Sequence, residues 1–221
     1  AIVDADLMIV DDAAGGTNRK ATMTRLSTYM GTKITGGSMV YLASSGAISD
    51  GTASVAFTQF DATKYDHYQF WLQHVIPATD GVVLYAQSST DGGSSYDSTD
   101  GDYHTDATDD AIGFSVAGYT GVSGESLLIG NASNEFGASG PFMLYSPHNT
   151  SAYTYANCGS MVFNDNSAAG TVNTMDAVTY GFSVASSVRL AAEDVDAIKF
   201  IFNSGNIESG EIVMYGIANG T

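Results

Sequence analysis

The sequence contains very few of the residues on which several kinds of site depend. Of its 221 residues only one is cysteine, Cys158, and only seven are Lys or Arg. A single cysteine cannot form a disulfide within the chain or supply a cysteine-based zinc site. We therefore expect Cys158 to be a small, buried apolar residue, and stability to come from core burial and from association of copies.

Positive charge is scarce and unevenly placed. The formal net charge is −17, and no Lys or Arg occurs between Lys64 and Arg189. Affinity for nucleic acid comes largely from Lys and Arg that displace counterions from phosphates. The composition therefore predicts no nucleic-acid partner.

Long apolar runs are also missing. No uninterrupted apolar run approaches the ~20 residues that span a bilayer, so we expect no membrane insertion. The first ten residues, AIVDADLMIV, contain two Asp where a signal peptide has basic residues followed by apolar ones. We expect a soluble chain that does not direct its own secretion.

Short apolar segments separated by Gly, Ser and Asn dominate the rest of the chain. About ten such segments follow residue 38, and almost no long helical pattern interrupts them. This arrangement is typical of two packed antiparallel sheets. The last two segments predict a pair of strands. Ile198, Phe200 and Phe202 share one face of the first strand, and the second strand follows the turn sequence SGNIESGE.

The longest of these patterns runs from Tyr65 to Asp97, YDHYQFWLQHVIPATDGVVLYAQSSTDGGSSYD. Alternation places Tyr68, Phe70 and Leu72 on one face of a strand and Gln69, Trp71 and Gln73 on the other. Pro77 and Gly81 then favour a reversal, so the segment predicts an antiparallel pair of strands. As the only tryptophan, Trp71 is predicted to lie at the centre of the core.

Residues 1–37 differ in character from the rest of the chain and are predicted to form an attachment or oligomerisation arm with its linker. Leu7–Val10 is a short apolar strand, DDAAGGTNRK is rich in turn formers, and ATMTRLSTYM predicts one or two helical turns capped by Thr22 or Thr24. Such a module is too small to fold alone. The residues expected to make its contacts are Leu7, Ile9, Arg19, Lys20, Arg25 and Leu26.

Three stretches, in this order along the chain, resemble a recurrent jelly-roll-like β-sandwich of tailed-bacteriophage structural proteins of the tail-fibre, head-fibre and decoration-like type. They are the Tyr65–Asp97 segment, GPFMLYSP and AIKFIFNSGNIESGEIVMYGI. The N-terminal DADLMIVDDAAGGTNRKATMTRLSTYM is similar to the segment that precedes such domains in phage fibre-type proteins. The four stretches cover about two fifths of the chain. Their motifs are strands and turns, so the resemblance implies a fold and a virion setting and no catalytic residues.

The polar segment from Ser88 to Asp110 contains seven aspartates. Calcium binds carboxylate and carbonyl oxygens held on a flexible loop, which makes Asp97, Asp100 and Asp102 candidate ligands. Their spacing does not match the EF-hand pattern, and a solvated hairpin tip with a short strand around Tyr103 has the same composition. Calcium is the only cofactor that the sequence suggests.

Several tyrosines lie in or beside polar stretches rich in Gly, Ser and Asn. A tyrosine side chain presents an apolar ring and a hydroxyl, which suits sugar stacking and adaptable protein contact. The alternative is that these residues are half-buried in strands. The candidates for ligand binding are Tyr96, Tyr103, Tyr153 and Tyr155, with Tyr119 in a similar setting.

No catalytic motif stands out in the sequence. The four histidines, His67, His74, His104 and His148, show no HExxH pair and no ordering typical of a nucleophilic triad, so structural roles are expected. We expect a protein that is not an enzyme, although a pair of acids brought together in space for glycosidic cleavage stays an alternative.

These observations predict an all-β protein, an antiparallel jelly-roll-like β-sandwich over residues 38–221 that follows a strand–turn–helix arm. The resemblance implies a virion structural protein made in the host cytoplasm and displayed on the phage surface as a fibre or spike component. Expected partners are copies of the chain in a homotrimer, other virion proteins through the arm, and a host-surface glycan. A capsid decoration protein that coats the head is one alternative, and a glycan-binding module or polysaccharide depolymerase is an alternative of another class.

Overall fold

Strands make up most of the residues that the computed structural model describes, which are residues 7–10, 19–26, 39–99, 101–105, 113–117, 128–131, 136–165 and 178–218. The strands, in chain order, are β1 Leu7–Val10, β2 Arg19–Thr22, β3 Met39–Ser44, β4 Val55–Phe57, β5 Tyr65–Pro77, β6 Leu84–Ser89, β7 Tyr103–Thr105, β8 Phe114–Ala117, β9 Ala138–Tyr145, β10 Tyr155–Asp165, β11 Val178–Arg189, β12 Ala197–Phe202 and β13 Ile207–Ala218. The described helix, at residues 23–26, is a single turn. Within these described ranges, no helix has the length and apolar character needed to cross a membrane.

The chain separates into two compact units, Ala1–Ser38 and Met39–Thr221. In the first unit, β1 and β2 form an antiparallel hairpin in which Leu7 lies opposite Thr22. The strand and the helical turn predicted for the arm are therefore present, and the structure adds a second strand, β2, between them. An isolated apolar strand leaves its backbone groups without partners, and β2 supplies them.

The second unit contains a seven-stranded sheet, in the order β3-β13-β5-β9-β10-β11-β7, and a four-stranded sheet, in the order β4-β12-β6-β8. The pairings within both sheets are antiparallel. The predicted all-β sandwich is confirmed.

Eight of these strands have the topology of a jelly roll. When β7, β10 and β11 are set aside, successive strands alternate between the two sheets except at β6 and β8, which are neighbours in one sheet. The pairs β3–β13, β4–β12, β5–β9 and β6–β8 are nested, from the outermost strands of the set to the innermost. This nesting is the double Greek-key arrangement of jelly rolls. Strands β10, β11 and β7 extend one sheet beyond the eight-stranded core.

The predicted antiparallel pair across IPATDG is wrong. β5 lies in the seven-stranded sheet and β6 in the four-stranded sheet, so the segment from Ala78 to Val83 crosses between sheets. The strands β12 and β13 are separated in the same way. Each of these strands has one apolar face, and in a sandwich such faces are buried by facing each other across the core.

The core is centred on Phe70 instead of Trp71. The Phe70 ring centroid lies 5.4 Å from that of Phe57, 6.0 Å from Phe142 and 5.2 Å from Phe200, which joins both sheets. Phe70 is fully buried, whereas Trp71 is 46% exposed. The prediction for Trp71 was wrong because alternation along β5 turns every second side chain outward, whatever its size.

Cys158 and the last strand agree with the sequence. Cys158 is buried, as predicted. β13 lies between β3 and β5, so the segment that ends the described chain is held on both sides by hydrogen-bonded neighbours. Ile212 and Met214 point into the core.

Candidate binding surface

Among the described residues, the outer face of the seven-stranded sheet carries three large exposed aromatic side chains, those of Tyr41, Trp71 and Tyr155. Trp71 lies in register with Val213 of β13 and Pro141 of β9, and these three form one row. Two further rows cross the same face of the sheet. They are Tyr41, Tyr215, Gln69, Met143 and Asn157, and then Met39, Ile217, His67, Tyr145 and Tyr155. We call the surface formed by these three rows the aromatic face.

The aromatic face differs in charge from the rest of the chain. Its three rows contain no Lys, Arg, Asp or Glu, although the chain has a net charge of −17. Tyr41 is 60% exposed and Tyr155 54% exposed. Contiguous exposed aromatic and apolar residues on a soluble protein commonly mark a surface that contacts a partner or ligand.

One end of the aromatic face forms an open groove of about 430 Å³. Its floor and walls come from three neighbouring strands, namely Trp71, Leu72, Gln73 and His74 of β5, Ser139 and Gly140 of β9, and Gly159 of β10. We call it the Trp71 groove. Among the residues that line it there is no Lys, Arg, Asp or Glu. Gly140 and Gly159 have no side chains, which leaves space beside the indole ring.

The acidic segment after β6 is held by its own hydrogen bonds. The Asp91 carboxylate accepts hydrogen bonds from the Ser95 hydroxyl at 2.6 Å, the Ser95 backbone N–H at 2.9 Å and the Ser89 hydroxyl at 2.8 Å. These bonds, led by the one from the Ser95 hydroxyl, lower the pKa of Asp91 to about 2. The backbone N–H of Gly92 in turn donates to the Asp196 carboxylate.

Arg189 ties the next part of this segment to the sandwich. Its Nε donates to Asp97 Oδ2 and its Nη2 to Glu193 Oε2, both at 2.7 Å, while Nη1 donates to the Ala191 carbonyl at 3.0 Å. Only 4% of Arg189 is exposed. Burial acts to lower the pKa of Arg189, but the hydrogen bonds to Glu193 and Asp97 outweigh it and raise that pKa. The guanidinium is therefore a charged crosslink inside the chain.

Of the three predicted calcium ligands, the two that the structure describes have partners within the chain. Asp97 binds Arg189, and Asp102 Oδ2 accepts the backbone N–H of Thr99 at 2.7 Å. Asp100 lies outside the described residues. Over the part of the chain that the structure describes, no three His, Cys, Asp or Glu residues form a group suited to a metal ion. The short strand predicted around Tyr103 is present as β7, but it pairs with β11 instead of forming a hairpin within this segment.

The predicted ligand-binding tyrosines lie in different settings. Tyr153 is 44% exposed, and Tyr155 lies on the aromatic face. Tyr96 is partly buried, with Lys199 Nζ 4.5 Å from its ring centroid. Tyr153 and Tyr155 are therefore accessible to a ligand, whereas Tyr96 contacts Lys199 within the protein.

Tyr103 is a correction to the predicted set, because it is fully buried. Strand β7 adds to the edge of the sheet beside β11 and turns Tyr103 inward, with its ring centroid 4.9 Å from that of Phe114. Its hydroxyl accepts the backbone N–H of Ser88 at 2.8 Å, and burial raises the pKa of Tyr103. Tyr119 lies outside the described residues.

His148 is part of a hydrogen-bonded line whose order resembles that of a nucleophile relay. Its Nδ1 lies 2.7 Å from Asp194 Oδ1, and its Nε2 lies 3.0 Å from the Tyr68 hydroxyl. Tyr68 is fully buried, and burial is the main cause that raises its pKa to about 12. The Tyr68 hydroxyl also accepts the backbone N–H of Asp61 at 2.7 Å. A buried phenol that is hard to ionise is a poor nucleophile, so this line of groups is structural.

The residues predicted for the arm fall on the hairpin and the helical turn. In the hairpin, Ile9 lies opposite Lys20 and Arg19 opposite Val10. Arg25 is exposed and Leu26 partly buried. The predicted cap is confirmed, because Thr22 Oγ1 accepts the backbone N–H of Arg25 at 3.3 Å.

Sequence reasoning missed the aromatic face and the Trp71 groove. A signal for the exposed Trp71 ring was present in QFWLQ, where Gln69, Trp71 and Gln73 alternate with buried Phe70 and Leu72. An aromatic residue between two glutamines on the outward side of a strand marks an exposed ring. The pairing of β5 with β9 and of β9 with β10, which builds the groove, has no such local signal.

Comparison of the chain with models of protein families, with curated proteins and with solved structures finds no match.

Proposed function

We propose that this protein is a non-enzymatic structural component of a bacteriophage virion, displayed on the particle surface as part of a fibre or spike. The observation that carries the proposal is a jelly-roll unit, Met39–Thr221, that follows a separate small unit, Ala1–Ser38. Jelly rolls are widespread in viral capsid and lectin domains. The stretches that resemble phage structural proteins include β1, β2, β5, β6, β9, β12 and β13, so the resemblance extends through both units.

The first unit supports a role in attachment. A two-stranded hairpin is at best marginally stable in water when it stands alone. We propose that the hairpin β1–β2 is stabilised by contact with other virion proteins, through Leu7, Ile9, Arg19, Lys20, Arg25 and Leu26. The jelly-roll unit would then be the part that is displayed.

The edge strand β3 supports assembly of copies into a homotrimer. Met39 is 47% exposed and Tyr41 60% exposed on this strand, and Tyr41 packs edge-on against Tyr215 with ring centroids 6.2 Å apart. An edge strand with exposed apolar side chains is a ready contact for another copy. We place the contact between copies at this end of the aromatic face, away from the Trp71 groove.

The proposal is tested by locating the protein in purified phage particles, by cryo-electron microscopy or immunogold labelling. A few copies at the tail or at a vertex are the expected result. A head lattice with a copy number that matches the capsomers would make the protein a decoration protein. Absence from the particle would overturn the proposal.

The trimer contact is tested with Tyr41→Ser. Light scattering of the purified wild-type chain should give about three times the 23.0 kDa chain mass, and Tyr41→Ser should shift that mass toward the monomer. Tyr153→Ser, which removes a similarly exposed ring elsewhere, serves as the control and should leave the mass unchanged. A monomeric wild-type chain, or an unchanged mass for Tyr41→Ser, would contradict this contact.

A further inference from the structure

We propose that the Trp71 groove binds a neutral oligosaccharide, with one sugar ring stacked on the Trp71 indole. The inference goes beyond display on a virion and does not depend on it. It draws on three features of the groove, which are its preformed backbone, its hydrogen-bonding groups and its lack of charge.

The backbone that forms the groove is held in an unusual conformation. The register between β5 and β9 shifts between Leu72 and Val75, and His74 within this bulge has a φ of +48°. Bulges and left-handed non-glycine residues are concentrated at functional sites, where they redirect side chains. Here the bulge aims successive side chains of β5 at the same groove.

Two glycines hold this bulge from opposite sides. A Cβ on Gly210 of β13 would lie 2.6 Å from the His74 carbonyl oxygen, and a Cβ on Gly137 would overlap the Val75 carbonyl oxygen. Both glycines have positive φ, +127° for Gly210 and +59° for Gly137. Only glycine permits so close an approach of three backbone segments, so the groove is formed before any ligand arrives. A preformed site avoids the entropic cost of ordering it on binding.

The groove places hydrogen-bonding groups beside the exposed ring. Ser139 Oγ accepts the backbone N–H of His74 at 3.0 Å, which leaves the Ser139 O–H to donate to a ligand. The exposed Gln73 amide offers one acceptor and two N–H donors, and the His74 ring adds a polar nitrogen. This combination matches a sugar ring, which has an apolar C–H face for the negative face of the indole and hydroxyls around its rim.

Charge restricts the class of ligand. None of the residues that line the groove is Lys or Arg, and the net charge of −17 repels anions. Sulfated, phosphorylated and uronic-acid glycans are therefore disfavoured. The volume of about 430 Å³ lies within the roughly 300–1,000 Å³ of small-molecule sites and accommodates part of an oligosaccharide chain.

The test uses Trp71 as its own reporter, because it is the only tryptophan in the chain. The full-length protein is titrated with cellohexaose, maltohexaose, laminarihexaose and chitohexaose while tryptophan emission is recorded. At least one hexasaccharide should change the emission saturably, and calorimetry should confirm its affinity. If none changes the emission and none binds by calorimetry at millimolar concentration, the proposal is overturned.

Variants locate the binding on the molecule. By calorimetry, Trp71→Ala should weaken binding of the selected hexasaccharide at least about tenfold, and Gln73→Ala should weaken it to a smaller extent. Leu190→Ala is the matched control, since Leu190 is 42% exposed and Trp71 46%, and it should bind like wild type. Equal losses for Leu190→Ala and Trp71→Ala, or no loss for Trp71→Ala, would overturn the placement of the site.

Discussion

Two neighbouring aromatic residues of β5 show how differently the two faces of one sheet are used. Phe70 is fully buried and contacts phenylalanines of both sheets, whereas Trp71 is 46% exposed and lines a groove. The two residues are adjacent in β5, and their exposure differs because successive side chains of a strand point to opposite faces of the sheet. The inner face therefore holds the sandwich together, and the outer face is available for contacts with other molecules.

The largest effect is expected from Phe70→Ala. The loss of a ring that packs against Phe57, Phe142 and Phe200 leaves a cavity between the sheets and should lower the free energy of unfolding by about 3 to 5 kcal/mol. Urea unfolding followed by circular dichroism measures this change. A loss below about 1 kcal/mol would show that the core is not centred on this residue.

A second variant measures how much stability comes from the ion pairs of Arg189, which lie outside the aromatic core. Arg189→Met removes a buried crosslink between β11 and the acidic segment and leaves Asp97 and Glu193 without it, so it should cost about 1 to 3 kcal/mol. Lys64→Met, which removes the exposed pair with Asp61, should have no measurable effect. Similar urea midpoints for both variants would contradict the role of Arg189.

The acidic segment makes stability depend on pH in a defined direction. Hydrogen bonds from Ser95 lower the pKa of Asp91 from 3.8 to about 2 in the folded chain. A carboxylate whose pKa is lower in the folded state stabilises that state above its unfolded pKa, and this contribution is lost as the pH falls through the folded pKa. The stability from Asp91 should therefore be complete above about pH 5 and disappear toward pH 2.

Two variants check this assignment by urea unfolding at several pH values. Asp91→Asn should be less stable than wild type at neutral pH and should lose less stability between about pH 4 and pH 2. Ser95→Ala, which removes the strongest donor to Asp91, should flatten the same part of the curve. Curves parallel to that of wild type would contradict the assignment.

A smaller effect on stability than that of Phe70→Ala is expected from Trp71→Ala. Because nearly half of this side chain is exposed, the free energy of unfolding should change by no more than about 1 kcal/mol. Urea unfolding of Trp71→Ala beside Phe70→Ala measures the contrast between the two faces directly. Equal losses for the two variants would remove the distinction between them.

Local patterns in the sequence predicted much of the fold, and pairing between distant segments decided the rest. Alternation in YDHYQFWLQ identified the buried set of Tyr68, Phe70 and Leu72. The turn sequence after Pro77 suits either a hairpin or a crossing between sheets. Only the burial of both apolar faces across the core selects the crossing.

The candidate surface was less predictable for physical reasons. Trp71 was assigned to the core because it is the only tryptophan, but its place in the alternation of side chains along β5 decides its exposure. Tyr103 has polar neighbours in sequence, yet pairing of β7 with β11 buries it and its hydroxyl reaches the Ser88 backbone. The Trp71 groove depends on β9 and β10, which are distant from β5 in sequence, so no local pattern predicts it.

The most direct test of the division between the two faces is quenching of Trp71 fluorescence by acrylamide in the native, assembled protein. Since Trp71 is the only tryptophan, its emission reports one position without interference. We predict efficient quenching of the native protein, at roughly half the efficiency found for the urea-unfolded chain, in line with a side chain that is 46% exposed. Native emission that resists acrylamide would place Trp71 inside the core or beneath another copy, and would contradict a free outer face.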